Sequence, residues 1–456
     1  MFARATYVLV AALTLLSALT LLSALSVLSV LPAGVAVAGT TKHGGVVSAD
    51  PVDTTPHVLD GIVNAIALVD GTVVVGGSFG EVREAGSATV LPRANLFAYD
   101  LATGRVLPGF APRLDRPVLA LAAGVRGTVY AGGRFTRTGG AQTRGLVLLR
   151  LSDGSPVSHF GAQVRGGAVT GLARLGRHLY AGGDFTHVGS VARTALARLD
   201  AVTGAADPSF TIEPGAPRGG RTRIHAMALG HGRLAVAGDF TTLGGLPRAQ
   251  LGLISVAPPG LVSPNAAAPD GSSPGLAPSP ATVAPWRTDA YRGRCMADFP
   301  GYLRGVDLAP DGSYLVVVTT GGPGGPDRMC DTAARFETGA RGAVKPTWVN
   351  HTGGDSLYSV AATGAAVYVG GHQRWLNNPD GRDSAGPGAV ARPGIGAIHP
   401  RTGRALTWNP TRDRGIGVKA FLAHPGGLLV GSDTTRLGHE YHARVGMFPL
   451  PITPGS

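Results

Sequence analysis

Apolar and polar residues alternate over short stretches along most of this chain, the pattern of strands with one face on a core. Ala65-Ile66-Ala67-Leu68 is apolar, breaks at Asp70-Gly71 and resumes as Val73-Val74-Val75. Asp-Gly supplies the positive φ that a tight hairpin requires. Equivalent turns fall at Arg126-Gly127, Gly176-Arg177, His231-Gly232, Asp311-Gly312, Thr363-Gly364 and Gly426-Gly427. A polar loop and a third strand follow, as in Leu96-Phe97-Ala98-Tyr99-Asp100 before Thr103-Gly104 and Leu196-Ala197-Arg198-Leu199-Asp200 before Thr203-Gly204. A short fourth strand carries Pro and Phe, as in Pro108-Gly109-Phe110 and Asp207-Pro208-Ser209-Phe210.

One phrase marks the second strand of each unit. It reads Val75-Gly76-Gly77-Ser78-Phe79, Ala131-Gly132-Gly133-Arg134-Phe135-Thr136, Ala181-Gly182-Gly183-Asp184-Phe185-Thr186 and Ala237-Gly238-Asp239-Phe240-Thr241. Weaker counterparts lie near Gly321, Gly371 and Gly431. A unit of four antiparallel strands repeated at this spacing predicts an all-β fold, a single β-propeller over 39–456 of seven four-stranded blades. Six or eight blades would result if the long gap after the fourth unit hides or mimics one. Recurring Gly in a strand marks a close backbone approach, and the Phe two residues on is expected to fill the space between neighbouring blades. The chain ends on a third strand, Val445-Gly446-Met447-Phe448, whereas Asp50 to Val58 stands where fourth strands precede a unit. The N-terminal segment is therefore expected to supply the outer strand of the last blade and close the ring.

Gly182-Gly183-Asp184-Phe185-Thr186, Val188-Gly189, Leu196 to Gly204 and Asp207-Pro208-Ser209-Phe210 resemble the delta-60 type β-propeller repeats of secreted bacterial exoproteins. The resemblance is strong over the first four units, recognisable in the sixth and seventh, and poor in the fifth. It implies a propeller on an exported protein and transfers no catalytic residues.

Composition adds an address. Hydrophobic residues make up 44% and charged residues 15%, too apolar for a disordered chain. The net charge of +12 comes almost wholly from Arg, because Lys occurs only at Lys42, Lys345 and Lys419. This skew has the character of a G+C-rich bacterial genome; a basic surface suited to wall polyanions or anionic glycans is the alternative reading. Arg4, the apolar run from Val8 to Leu31 and the small-residue site Ala36-Val37-Ala38 read as a signal peptide over 1–38. Left uncleaved, it would be a membrane anchor. The expected location is extracellular or at the cell surface, and the expected state a monomer. The two cysteines, Cys295 and Cys330, are expected to form a disulfide in that compartment. A Pro/Ala/Ser-rich insertion over 257–285 interrupts the fourth and fifth units.

Several motifs imitate catalytic signatures. Gly76-Gly77-Ser78-Phe79-Gly80 has the spacing of a hydrolase elbow, but Ser78 occupies a repeat position held elsewhere by Arg134 and Asp184. Gly354-Asp355-Ser356-Leu357 matches an esterase signature but opens a strand with no α/β context. His439-Glu440-Tyr441-His442 lacks zincin spacing. Asp184 and Asp239 are expected to cap loops rather than hold Ca²⁺. No metal or cofactor is expected, and no phosphate loop or basic helix points to nucleic acid. Trp286, Tyr291, Trp348, Trp375 and Trp408 are either packing residues or a recognition surface, and His372, Arg374 and Trp375 form the first candidate binding site. The expected function is an interaction module for a protein, a glycan or a wall polymer. The other class is a propeller enzyme, a lyase, glycosidase or quinone-dependent dehydrogenase, with titratable groups such as His372, Asp355, His439 and Glu440 converging on the central channel.

Overall fold

The computed structural model describes residues 41–256, 280–296, 299 and 301–451. The expected signal segment, 1–38, and residues 257–279 of the insertion lie outside them. Among the described residues every regular element is a strand. Antiparallel up-and-down sheets begin at Ile62–Val69, Val118–Ala123, Val169–Leu175, Arg223–Gly230, Leu303–Leu308, Leu357–Ala362 and Ala420–His424. In each, the next strand returns through the Gly-containing turn; Asp70 and Gly71, at φ 48° and 80°, take the left-handed pair that a two-residue hairpin needs. The loop after the second strand folds into a small hairpin of its own, as His187–Val188 and Val191–Ala192 do.

Among the described residues, regular fourth strands occur only in the fourth and fifth sheets, at Thr282–Val283 and Trp348–His351. In the first, second, third and sixth sheets the fourth position is a single bridge, at Tyr99 to Val106, Leu149 to Pro156, Leu199 to Ala206 and Ile398 to Ala405. The first three of these segments carry Pro108, Pro156 and Pro208, whose missing N–H groups cannot extend a ladder. Thr282–Val283 also shortens the expected insertion, since its last residues belong to the fourth sheet.

Hydrophobic clusters lie between sheets. Phe135 packs with Val74 and Leu96 of the first sheet and Val129 and Val147 of the second. Phe185 and Phe240 do the same at the next two junctions. The glycines have two separate jobs. A Cβ on Gly132 would sit 2.6 Å from Val169 Cγ1 of the following sheet, and Gly76 and Gly370 stand in the same relation to Val118 and Val418. A Cβ on Gly183 would lie 1.9 Å from the carbonyl oxygen of Ala168 in its own sheet. The first glycine thus admits the neighbouring sheet, and the second admits its own first strand. Gly183→Ala is expected to destabilise the fold by about 1–3 kcal/mol in urea unfolding. Gly161→Ala, whose Cβ meets nothing within 4 Å, should be near neutral.

The last sheet meets the first by the same contacts. A Cβ on Gly431 would lie 2.5 Å from Val63 Cγ1, and the Val63 amide donates to the Ser432 carbonyl at 2.9 Å. The Ser48 and Val52 amides donate to the carbonyls of Pro449 and Met447, on the last sheet's third strand. His57–Val58 leaves that sheet and pairs with Glu81–Arg83. Cys295 and Cys330 form a disulfide that ties the irregular segment before the fifth sheet to the loop leading into its third strand. Gly321 is not the repeat glycine of this unit. Val318 holds that register, opposite Gly305, while Gly321 packs on Cys295 Cβ.

Candidate functional site

Six of the first strands slip register by one residue, leaving Asn64, Leu119, Thr170, His225, Arg304 and Tyr358 unpaired on a bulge. Lys419 holds the corresponding place before Ala420, which pairs with Gly431 as Ala65 pairs with Gly76. A bulge turns its extra residue out of the sheet's own packing. All these residues line one cavity of about 380 Å³, to which every first strand contributes. Two residues further along, Ile66, Leu121, Leu172, Met227, Val306, Val360 and Phe421 make an apolar tier in the same lining. A column that reads Asn, Leu, Thr, His, Arg, Tyr, Lys therefore sits inside an otherwise repeating frame.

The polar side chains of the early sheets are committed to structure. Asn64 Nδ2 donates to the Val118 carbonyl at 3.2 Å and Thr170 Oγ1 to the Ile224 carbonyl at 2.6 Å, each stitching its strand to the next. The later sheets supply charge. His225 Nε2 lies 3.1 Å from Asp239 Oδ2, and burial holds the imidazole below its ordinary range despite that partner. Arg304 NH1 donates to the carbonyls of Gly301 and Leu303. Burial lowers its pKa, opposed by the charge of Asp239. Lys419 Nζ stands 3.2 Å from the centroid of the Tyr358 ring. Burial first, and the Arg304 charge second, push this ammonium down to about 8.

The residues singled out from sequence lie partly beside this cavity. His372 Nε2 accepts the Ser356 amide at 3.2 Å, and its Nδ1 is 3.4 Å from the hydroxyl of Tyr358, which lines the cavity. Arg374 is fixed by buried Asp355, through Nε at 2.8 Å and NH2 at 3.1 Å, with Arg414 on the same carboxylate at 2.6 Å. The Arg374 guanidinium covers the half-buried Trp375 ring at 4.4 Å. None of these three candidates, nor Asp355, His439 or Glu440, is in the cavity lining. Trp286, Tyr291, Trp348 and Trp408 are buried in the clusters between sheets, as packing residues.

Ser356 Oγ donates to Asp331 Oδ1 at 3.2 Å, while Asp331 Oδ2 is buried without a partner. Burial raises the Asp331 carboxyl to about 7, with Asp355 adding to the shift. Between the ordinary carboxylate range and pH 7 the folded chain keeps this proton and the unfolded chain does not, so stability falls as pH rises across that window. Asp331→Asn should flatten this slope, read as thermal midpoints of both proteins from pH 4 to 8.

Asp184 accepts the Ala168 amide at 2.7 Å and pairs with Arg223, the loop-capping role expected of it. Asp53, Glu440 and His442 place ligand atoms within 4.8 Å of one another and are the described residues that could hold a metal ion. Glu440 and His442 are already joined at 3.2 Å, where the N-terminal segment meets the last sheet's hairpin.

The axial column was missed because it becomes visible only when the units are aligned on the residue before the hairpin strand rather than on the Gly-Gly phrase. Within one unit, Val63-Asn64-Ala65, Leu303-Arg304-Gly305 and Val418-Lys419-Ala420 each show only one unlike residue between small or apolar ones, which by itself is ordinary.

Residues 178–210 match the family model described as "Domain of unknown function (DUF5122) beta-propeller". The chain contains a β-propeller repeat. Solved structures similar to it include the computationally designed Ika8 protein, at 11% identity and TM-score 0.44 over 89% of this chain and 100% of that one. The WD40 β-propeller domain of Doa1 is similar at 10% identity and TM-score 0.45, over 92% of this chain and 98% of that domain. No curated protein matches. Among the described residues no helix is long and apolar enough to cross a membrane.

Proposed function

We propose that the chain is a secreted or cell-surface interaction module, a seven-bladed propeller of the delta-60 repeat type that engages a protein, glycan or wall polymer. Support for seven blades comes from the first strands that together line one axial cavity. Support for a closed ring comes from the Val63 contact with Gly431 and from Ser48 and Val52 on the last sheet. The disulfide is compatible with an oxidising compartment.

The observation that carries the binding reading is the axial column. Scaffold positions repeat from unit to unit, whereas these side chains differ at every unit and face a common cavity. Its volume is in the range of small-molecule sites. His372, Arg374 and Trp375 extend the recognition surface outward from Tyr358, on this reading. The immobilised mature chain should retain a purified wall polymer, a glycan or a supernatant protein. Retention of none of them would overturn the proposal.

A second reading, an enzyme at the same cavity, is supported by the Lys419 ammonium near neutrality and the His225 and Asp239 pair. It predicts turnover that Lys419→Met abolishes.

A further inference from the structure

We propose that the axial cavity takes an oxyanion, a carboxylate, phosphate or sulfate group, held between Arg304 and Lys419. The inference deepens the binding reading and rests on the cavity being the site. Arg304, Lys419 and His225 all line the cavity, and its lining contains no Asp or Glu. The carboxylates that act on Arg304 and Lys419, Asp239 and Asp433, are outside the lining; Asp239 Oδ1 is buried without a described partner. Asp239 meets His225 at 3.1 Å, and Asp433 accepts Arg412 NH2 at 2.8 Å.

The cations themselves are left available. Lys419 Nζ faces the Tyr358 ring and makes no hydrogen bond to any described residue. Arg304 uses NH1 on backbone carbonyls, which orients the guanidinium and leaves Nε and NH2 without a described partner. Neutral donors nearby cannot substitute for them, because Asn64, Thr170 and Ser359 are spent on carbonyls of the next strand. Two like charges in one confined space repel, and an anion between them reverses that cost and forms charge-assisted hydrogen bonds to both. The apolar tier of Leu121, Met227 and Phe421 then faces the body of whatever carries the anionic group.

Lys419 offers a direct readout, since only Lys42 and Lys345 accompany it. With lysines carrying ¹³C-methyl labels, inorganic phosphate and benzoate are titrated into the mature chain, and the Lys419 resonance is followed against pH. The groups that bear on Lys419 are Arg304, Arg412 and Asp433, with Tyr358 under it and His372 acted on in turn. Saturating anion should move the Lys419 titration upward and leave Lys42 and Lys345 unchanged. Arg304→Met and Lys419→Met should each weaken binding by about tenfold or more, the worth of a charged hydrogen bond. Both variants remove a half-buried charge, so thermal melting at matched pH verifies that they fold. Tighter binding of benzoate than phosphate identifies a small organic acid as the source, and the reverse identifies a phosphate or polymer end group. An unmoved Lys419 titration, or unchanged affinity in both variants, overturns the proposal. If a polymer or protein partner is retained equally by Lys419→Met, the module stands and the oxyanion site falls. If phosphate binds in the cavity and no partner is retained, the oxyanion site stands alone.

Discussion

Asp433→Ala is expected to cost about 3–5 kcal/mol of unfolding free energy, the penalty of leaving a buried cation without its partner. The Arg412 side chain is fully buried and donates NH2 to Asp433 Oδ1 at 2.8 Å, and NH1 to the Gly371 carbonyl at 3.0 Å. Asp433 also accepts the amides of Ile416 and Gly417, so one carboxylate holds a guanidinium and the loop before the last sheet. Burial has already lowered the Arg412 pKa to about 10, which leaves the group charged at neutral pH. The single variant should therefore show a large drop in urea midpoint. Adding Arg412→Met should recover much of it, because a neutral pair of similar volume carries no desolvation debt. If the double variant is no more stable than Asp433→Ala, the loss comes from the loop amides rather than from the stranded charge.

Removing the disulfide by Cys295→Ser with Cys330→Ser is expected to lower stability by about 3–4 kcal/mol, from the loop-closure entropy of a 35-residue separation. The segment it fastens has little regular structure of its own: between Trp286–Arg287 and Leu303–Leu308 no strand is described. It nonetheless contributes Tyr291 to the cluster between the fourth and fifth sheets and offers its carbonyl to Gln250 Nε2 at 2.9 Å. Reduction should loosen this junction first. Hydrogen exchange at Tyr302 and Leu303 should rise before exchange in the first three sheets; uniform acceleration would argue against a local fastening role.

The strands were legible in the sequence because hairpin turns and period-two patterning are local. Asp70-Gly71 and His231-Gly232 take the positive φ values their residue types imply. The role of the paired glycines was also legible in outline, though two distinct approaches, one within a sheet and one between sheets, could not be separated without coordinates. The fifth unit defeated alignment for a physical reason. Val318 needs no glycine there because Gly305 opposite supplies the room, so the usual mark is carried by the other strand. Trp375 attracted notice as an aromatic in a long loop, whereas the axial residues gave no local signal. A single Lys or Asn between apolar neighbours is ordinary in any strand, and only the folded cavity sets seven such positions side by side.

The first three units, with the full Gly-Gly-x-Phe phrase, bring Asn64, Leu119 and Thr170 to the shared cavity; the fifth and seventh, which lack the paired glycines, bring Arg304 and Lys419. Loss of the repeat phrase thus accompanies the arrival of charge in the cavity. Such a division of labour is open to a repeat array in which regular members hold the frame while irregular ones are free to acquire chemistry. A chimera that replaces the fifth unit with a copy of the third should then keep its shape and lose its selectivity.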